Sequence, residues 1–161
     1  GFYEFLSEKM FSKEVILYIA GNGSQKDYLE SLSKKLKIDK YIVFLGNIDK
    51  DQIKSHLKRV NGAIYPSIWD NFPLSILEAL ASASCPVFFS RKAGIYDFVT
   101  EEYDLNTFNP DLKSISDIFH QIFENRVDRK IVKRQKKFAE KYTWDKVIDN
   151  YIKLYNNVIN E

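Results

Sequence analysis

The 161-residue sequence has little of several things, and each scarcity narrows its reading. Its single cysteine, Cys85, has no partner for an internal disulfide and lies beside Pro86, where it reads as a small buried hydrophobe. No apolar run approaches the roughly 18 residues that cross a bilayer, and the first residues carry no secretory pattern, so a reducing, cytoplasmic setting is expected. An excess of one charge sign is also missing. The 24 Lys and Arg stand against 22 Asp and Glu, for a formal +2, which excludes strong non-specific affinity of the whole chain for nucleic acid. The two histidines, His56 and His120, are far apart and lack metal-ligand spacing. Both read as structural, and no metal site is expected. No internal repeat or low-complexity segment is evident.

What is present is 45% hydrophobic and 15% aromatic, enough for one well-buried domain and short for two. Phe2, Phe5, Leu6 and Met10 stand at helical spacing before a strand from Val15 to Ala20. Gly21-Asn22-Gly23 then permits a tight turn, with Ser24 placed to cap a helix bearing Tyr28, Leu29, Leu32 and Leu36. That turn reads equally as a close approach to a ligand and as a plain strand-to-helix connection. Tyr41 to Leu45 is the next apolar run, and Asp49 to Val60 is an amphipathic helix with Ile53, Leu57 and Val60 on one face. Strands from Ala63 to Tyr65 and from Pro86 to Ser90 follow, with a short edge strand within Tyr103 to Phe108. Asn109-Pro110 is placed to cap a helix carrying Leu112, Ile115, Ile118, Phe119, Ile122 and Phe123. Strands alternating with helices of this length predict an α/β fold: a Rossmann-like parallel sheet with helices on both faces.

Charge is missing locally as well. From Asn71 to Ser90 the sole charged side chain is Glu78, where the 29% average of the chain would place about six. Such a stretch is buried on most sides. It reads as strand, turn and helix over Pro73 to Ala83, then strand, with Pro73 suited to the first helical turn because its missing N–H costs nothing there. At ~100° per residue, Leu74, Ile76, Leu77, Leu80, Ala81 and Ala83 cover one broad face, and Ser75, Glu78 and Ser82 fall on one narrow polar stripe. Asp70, just before the helix, and Glu78, two turns into it, flank a helix N-terminus whose free N–H groups and dipole favour an anion. The arrangement suits a phosphate held between two hydroxyl-binding acids. Taken singly, Asp70 also reads as a helix N-terminal acid, and Glu78 as one half of a buried ion pair.

The run Pro66-Ser67-x-Trp69-Asp70-Asn71-Phe72-Pro73-Leu74-x-x-Leu77-Glu78-Ala79 resembles the signature of the retaining glycosyltransferases of the GT-B fold, known as glycosyl transferases group 1. That family carries an acid, seven residues and then Glu. Asp70 takes the first position and Glu78 the second. The likeness extends to Ala20-Gly21-Asn22-Gly23, Val43 to Ile48, Pro86-Val87, Gly94 to Asp97 and Tyr142-Thr143-Trp144. It implies the C-terminal, donor-binding half of a GT-B fold, moving a hexose from a UDP- or GDP-linked sugar to a glycan or lipid-linked acceptor, as in polysaccharide biosynthesis. The resemblance assigns Asp70 to donor-sugar hydroxyls as the catalytic carboxylate and Glu78 to the ribose. The N–H groups of Phe72, Leu74 and Ser75, with Asn71 beside them, fall to the phosphates. Ile48 falls to the base, and Gly21 and Gly23 to the close approach of the donor. Pro73 stands where the family commonly has Gly, and it removes one amide donor. The nucleotide-sugar is a substrate; no cofactor is implied.

By the same resemblance the chain begins after the family's basic pair and first strand, lacks the N-terminal acceptor domain, and is inactive alone. Arg91 and Lys92 read either as phosphate contacts or as a solvated loop pair. From Arg126 to Lys141 eight basic residues stand against two acidic ones, opposite an apolar face of Val127, Ile131, Val132, Phe138, Ala139 and Tyr142. That basic face suits peripheral contact with anionic lipid at the inner face of a membrane, or simply water. Thr143 is placed to cap a last helix whose apolar stripe runs from Trp144 to Ile159, and in the family this segment crosses toward the partner domain. A non-catalytic Rossmann-like nucleotide-binding or protein-interaction module, or half of a nucleotide-sugar epimerase, would share this architecture. The epimerase lacks a visible acid and base pair here.

Overall fold

The computed structural model describes residues 1–8, 15–124 and 126–159. They fall into two compact units, Gly1–His56 with Asp111–Arg126, and Leu57–Pro110 with Val127–Glu161. Every strand pair in both is parallel, as strands separated by helices require.

The first unit is built on β1 (Leu17–Ala20) paired with β2 (Ile42–Gly46), in register from Leu17 opposite Ile42 to Ile19 opposite Phe44, with a one-residue shift that sets Ala20 opposite Gly46. Its helices are α1 (Phe2–Glu8), α2 (Lys26–Lys35), the part of α3 (Lys50–Arg59) up to His56 and, from later in the chain, α5 (Leu112–Phe123). Fully buried Phe5 carries α1 onto α5, meeting Phe119, Phe123 and His120 with ring centroids 4.8 to 5.9 Å away. The histidine thus has an aromatic floor, and its Nε2 lies 2.9 Å from Glu8 Oε2. Met10 lies outside the described residues.

Two expected caps fall elsewhere. Helix α2 starts at Lys26 after Gln25, with no side-chain cap bond, so Ser24 does not cap it. Helix α5 is capped by Asp111, whose carboxylate accepts from the Ser114 N–H at 2.8 Å and from its hydroxyl, rather than by Asn109-Pro110. Asp111, two residues nearer the helix than Asn109, reaches that amide, and Pro110 has no comparable acceptor. Asp49 caps α3: its carboxylate accepts from the Asp51 and Gln52 N–H groups while Gln52 Oε1 accepts the Asp49 N–H, a reciprocal cap.

The second unit is a parallel sheet in the order β3 (Ala63–Tyr65), β4 (Val87–Ser90), β5 (Thr107–Phe108), with α4 (Leu74–Ser82), α6 (Ile131–Ala139) and α7 (Trp144–Ile159). Strand β4 lies in the middle and is buried at every residue, which explains its uncharged composition. Helix α4 buries Ile76, Ala79, Leu80 and the following Ala83, an i, i+3, i+4, i+7 set. Leu74 and Ala81, placed on the apolar face by sequence, are exposed, because the buried face turns through Ala79. Helix α6 is shorter than the basic segment and hides one polar residue, Gln135. Its Oε1 accepts the Val87 N–H at 2.8 Å, and its Nε2 donates to the Cys85 carbonyl at 3.3 Å. The basic face is partly neutralised: Lys137 donates to Glu102 at 2.8 Å, and Arg134 lies 3.5 Å from Asp104. Helix α7 buries none of its residues.

Candidate functional site at the start of helix α4

Strand β3 ends at Tyr65, and the chain then runs Pro66 to Pro73 before α4, so the signature residues stand beyond a strand's carboxyl end, where open α/β sheets bind ligands. Four contacts fix this loop. Asp70 bridges Ala93 in parallel fashion, and its carbonyl accepts the Gly94 N–H at 2.8 Å. A Cβ on Gly94 would stand 1.8 Å from the Asn71 carbonyl oxygen, so only glycine allows the two backbones to approach this closely. The Phe72 ring inserts among Phe98 and Tyr142, with centroids 5.4 and 5.5 Å away. Pro73, in extended conformation, is the residue before the helix rather than its first residue, and its carbonyl accepts from Ile76 and Leu77.

The amides of Leu74 and Ser75 consequently have no partner inside α4, and both residues are exposed. Asp70, Asn71 and Glu78 are exposed too. Glu78 is therefore not half of a buried ion pair, and the uncharged stretch is buried on the β4 side while its polar stripe stays open. Behind that stripe, burial pushes the Tyr65 phenol up to about 12, with Cys85 and then Glu78 adding in the same direction. The phenol stays protonated at neutral pH.

A shallow cleft of about 300 Å³ opens against this loop, lined by Trp69, Asp70, Asn71, Lys92, Gly94 and Asp97. Lys92 lies in it. Arg91 does not: its Nε donates to Thr107 Oγ1 at 3.2 Å, and its guanidinium lies over the Tyr96 ring. The second unit thus brings together Asp70, Asn71, Phe72, Leu74, Ser75 and Glu78. Gly21, Gly23 and Ile48 belong to the first unit, at the ends of β1 and β2. Gly21 takes a φ of +114° and donates to the Gly46 carbonyl at 2.7 Å. Gly23 has an open surrounding and needs no such conformation. Sequence reasoning missed Trp69 and Tyr65 as parts of the site. The former was legible as an aromatic beside the first acid, the latter as the last strand residue before the turn.

Among the described residues, no group of three or more His, Cys, Asp or Glu side chains could hold a metal ion, and no helix is long and apolar enough to cross a membrane.

Comparison with known proteins agrees with the arrangement. A protein described as an uncharacterized glycosyltransferase of Methanocaldococcus jannaschii is 33% identical over 144 residues, covering 86% of this chain and 36% of that protein. The gpi3 subunit of phosphatidylinositol N-acetylglucosaminyltransferase from Schizosaccharomyces pombe is 24% identical over 151 residues, covering 92% and 32%. The chain spans about a third of the length of these relatives. Among solved structures, Anabaena HepE in complex with UDP-glucose superimposes with a TM-score of 0.71 at 17% identity, over 99% of this chain and 44% of that one. The α/β fold, parallel sheets flanked by helices, is that of the GT-B glycosyltransferases. The family model for glycosyl transferases group 1 matches residues 6–142. On that match, and with the acid, the seven intervening residues and the second acid mounted at the mouth of α4, the chain belongs to the glycosyl transferases group 1 family.

Proposed function

We propose that this chain is the donor-binding part of a glycosyltransferase that takes a hexose from a nucleotide-sugar and transfers it with retention of configuration. The observation that carries the reading is the open N-terminus of α4, with Leu74 and Ser75 exposed and their amides without a partner inside the helix, between Asp70 and Glu78 in the chain. The difficult step is breakage of the bond between the sugar's C1 and the diphosphate oxygen, which leaves with the electron pair. Amides and a helix dipole already aimed at that oxygen stabilise the growing charge without reorganising. Glu78, an acceptor-only group in its ionised form, suits the two neighbouring hydroxyls of the ribose. Asp70 holds hydroxyls of the sugar and thereby places C1.

The nucleotide is UDP or GDP; complexes of Anabaena HepE with UDP and UDP-glucose support the former. The acceptor, a glycan or a lipid-linked sugar of polysaccharide biosynthesis, is read by a preceding domain, so the chain by itself binds donor without turning over. The exposed cations of the Arg126–Lys141 segment hold the enzyme against anionic lipid at the cytoplasmic face.

A thermal-shift titration with UDP, GDP, ADP and their sugars tests the site, because a ligand that binds only the folded state raises the midpoint by mass action. One nucleotide is expected to raise the midpoint, and Glu78→Ala to weaken its affinity by about 1.5 to 3 kcal/mol, as loss of a charge-assisted hydrogen bond does. Equal calorimetric affinity in the two proteins would remove Glu78 from the ribose.

A further inference from the structure

We propose that the indole face of Trp69, exposed in the cleft beside Asp70, is a stacking platform for a sugar ring. The inference rests on the donor reading above and names which part of the donor Trp69 meets. A single exposed apolar side chain is ordinary. Trp69 is unusual in three respects.

It is 86% exposed and adjoins Ile68 at 74%, so the largest apolar side chain of the segment faces solvent beside another. It lines a cleft whose other walls are polar: two carboxylates, an amide and the Lys92 ammonium. Its backbone is also held on the C-terminal side, by the Asp70–Ala93 bridge, the Gly94-to-Asp70 hydrogen bond and the seated Phe72 ring. A ring mounted on a fixed backbone loses little freedom when a ligand covers it.

The chemistry matched by this set is specific. A pyranose presents a face of C–H bonds and a rim of hydroxyls. The face gains from covering a flat apolar surface, and the rim donates to carboxylates and exchanges hydrogen bonds with an amide. A nucleoside diphosphate lacks this pyranose, so removing a platform for the sugar loses affinity for the sugar-linked form alone, whereas removing one for the base or ribose loses it for both forms. The platform should therefore favour the sugar-linked form while leaving the nucleotide's own affinity alone.

Calorimetry on native chain, Trp69→Ala and Trp69→Phe, with UDP-glucose, GDP-mannose, ADP-glucose and the matching diphosphates, tests this. For the nucleotide that binds, Trp69→Ala should weaken the sugar-linked form about tenfold while the bare diphosphate stays within about twofold, and Trp69→Phe should retain most of the affinity. In a Trp144→Phe background Trp69 is the sole indole, since the sequence has two tryptophans. Its emission should shift with the sugar-linked form and not with the diphosphate. Unchanged affinity in Trp69→Ala, or equal loss for both forms, overturns the platform and leaves the donor site standing. If no nucleotide form binds the native chain, the donor reading fails. The Trp69 emission on adding maltotriose or methyl mannoside then decides separately: a response retains a sugar platform without a nucleotide, and no response removes the platform as well.

Discussion

Gly94 and Gly23 are the same residue type under opposite constraints, and the difference is where residue-scale reasoning becomes testable. At Gly94 a methyl group would collide with the backbone carbonyl of Asn71, and a carbonyl cannot rotate aside as a side-chain tip can. Gly94→Ala must therefore push the Asp70–Asn71 backbone away from Ala93, costing on the order of 1 to 3 kcal/mol by overpacking and displacing the first acid. Gly23 has nothing within 4 Å of its would-be Cβ, so Gly23→Ala should be neutral or slightly stabilising. Urea unfolding of the two variants, followed by titration with the nucleotide-sugar that binds the native chain, reads both effects. Equal stability in Gly94→Ala and native chain would refute the steric account. The sequence carried Gly94 by resemblance to a family pattern, but the reason is a contact with Asn71 some twenty residues earlier, which no local periodicity encodes. Glu78 was legible as an anomaly in an uncharged stretch. Helical spacing also put it on the polar stripe with Ser75; that the stripe is open to solvent was not legible, because spacing defines a face without saying what covers it.

Elements show the same boundary between local and tertiary information. The alternation of apolar runs and helical periods marked every strand to within a few residues, since each depends on its own side chains. Caps were harder: the choice of Asp111 over Asn109-Pro110 is set by which oxygen reaches the Ser114 amide. Gln135 was illegible. In sequence it is one polar residue in a basic helix, yet in the fold it is fully buried and bonds the backbone of Cys85 and Val87 at the entry to β4. It docks α6 onto the central strand, serving the backbone groups as a neighbouring strand would. Gln135→Leu keeps similar volume but strands a buried N–H and a buried C=O, so a loss of about 2 to 6 kcal/mol is expected from two unsatisfied groups at about 1 to 3 each. Gln135→Glu keeps an acceptor for Val87 and loses the donor to Cys85, and it should be rescued in part by acid, which restores an O–H donor. Denaturant midpoints at neutral and mildly acidic pH distinguish the two; a Leu variant as stable as native chain would show the backbone groups satisfied by another route.

At the scale of the whole molecule, parallel strands and intervening helices followed from element order alone, whereas the division into two units did not, because it depends on which helices return to which strands. The first unit takes α5 from late in the chain, a pairing fixed by Phe5, Phe119 and Phe123 rather than by sequence proximity. A pH profile of stability integrates over both units, and its limbs are set by identifiable groups. Glu102 is held below its usual 4.5 by the Lys137 hydrogen bond and charge, and Asp111 below its usual 3.8 by the Ser114 amide and hydroxyl. Both are depressed in the fold, so their stabilisation is present above those ordinary values and is lost as pH falls through the lower folded ones. At the other end, burial raises Cys85 from 9.0 to about 11 and Tyr65 from 10.0 to about 12. Each is an acid kept neutral by the fold. Its contribution is intact below the unfolded value and disappears as pH climbs toward the folded one, because only the unfolded chain ionises freely in between. The unfolding midpoint should therefore be flat from about pH 5 to 8.5, fall gently in acid, and fall more steeply from pH 9 upward. Cys85→Ala should move the onset of the alkaline fall from about 9 to about 10, where the phenols of Tyr65 and Tyr142, both raised by burial, begin to ionise in the unfolded state. An alkaline limb that starts at the same pH in both proteins would show that the Cys85 thiol is not protected by the fold.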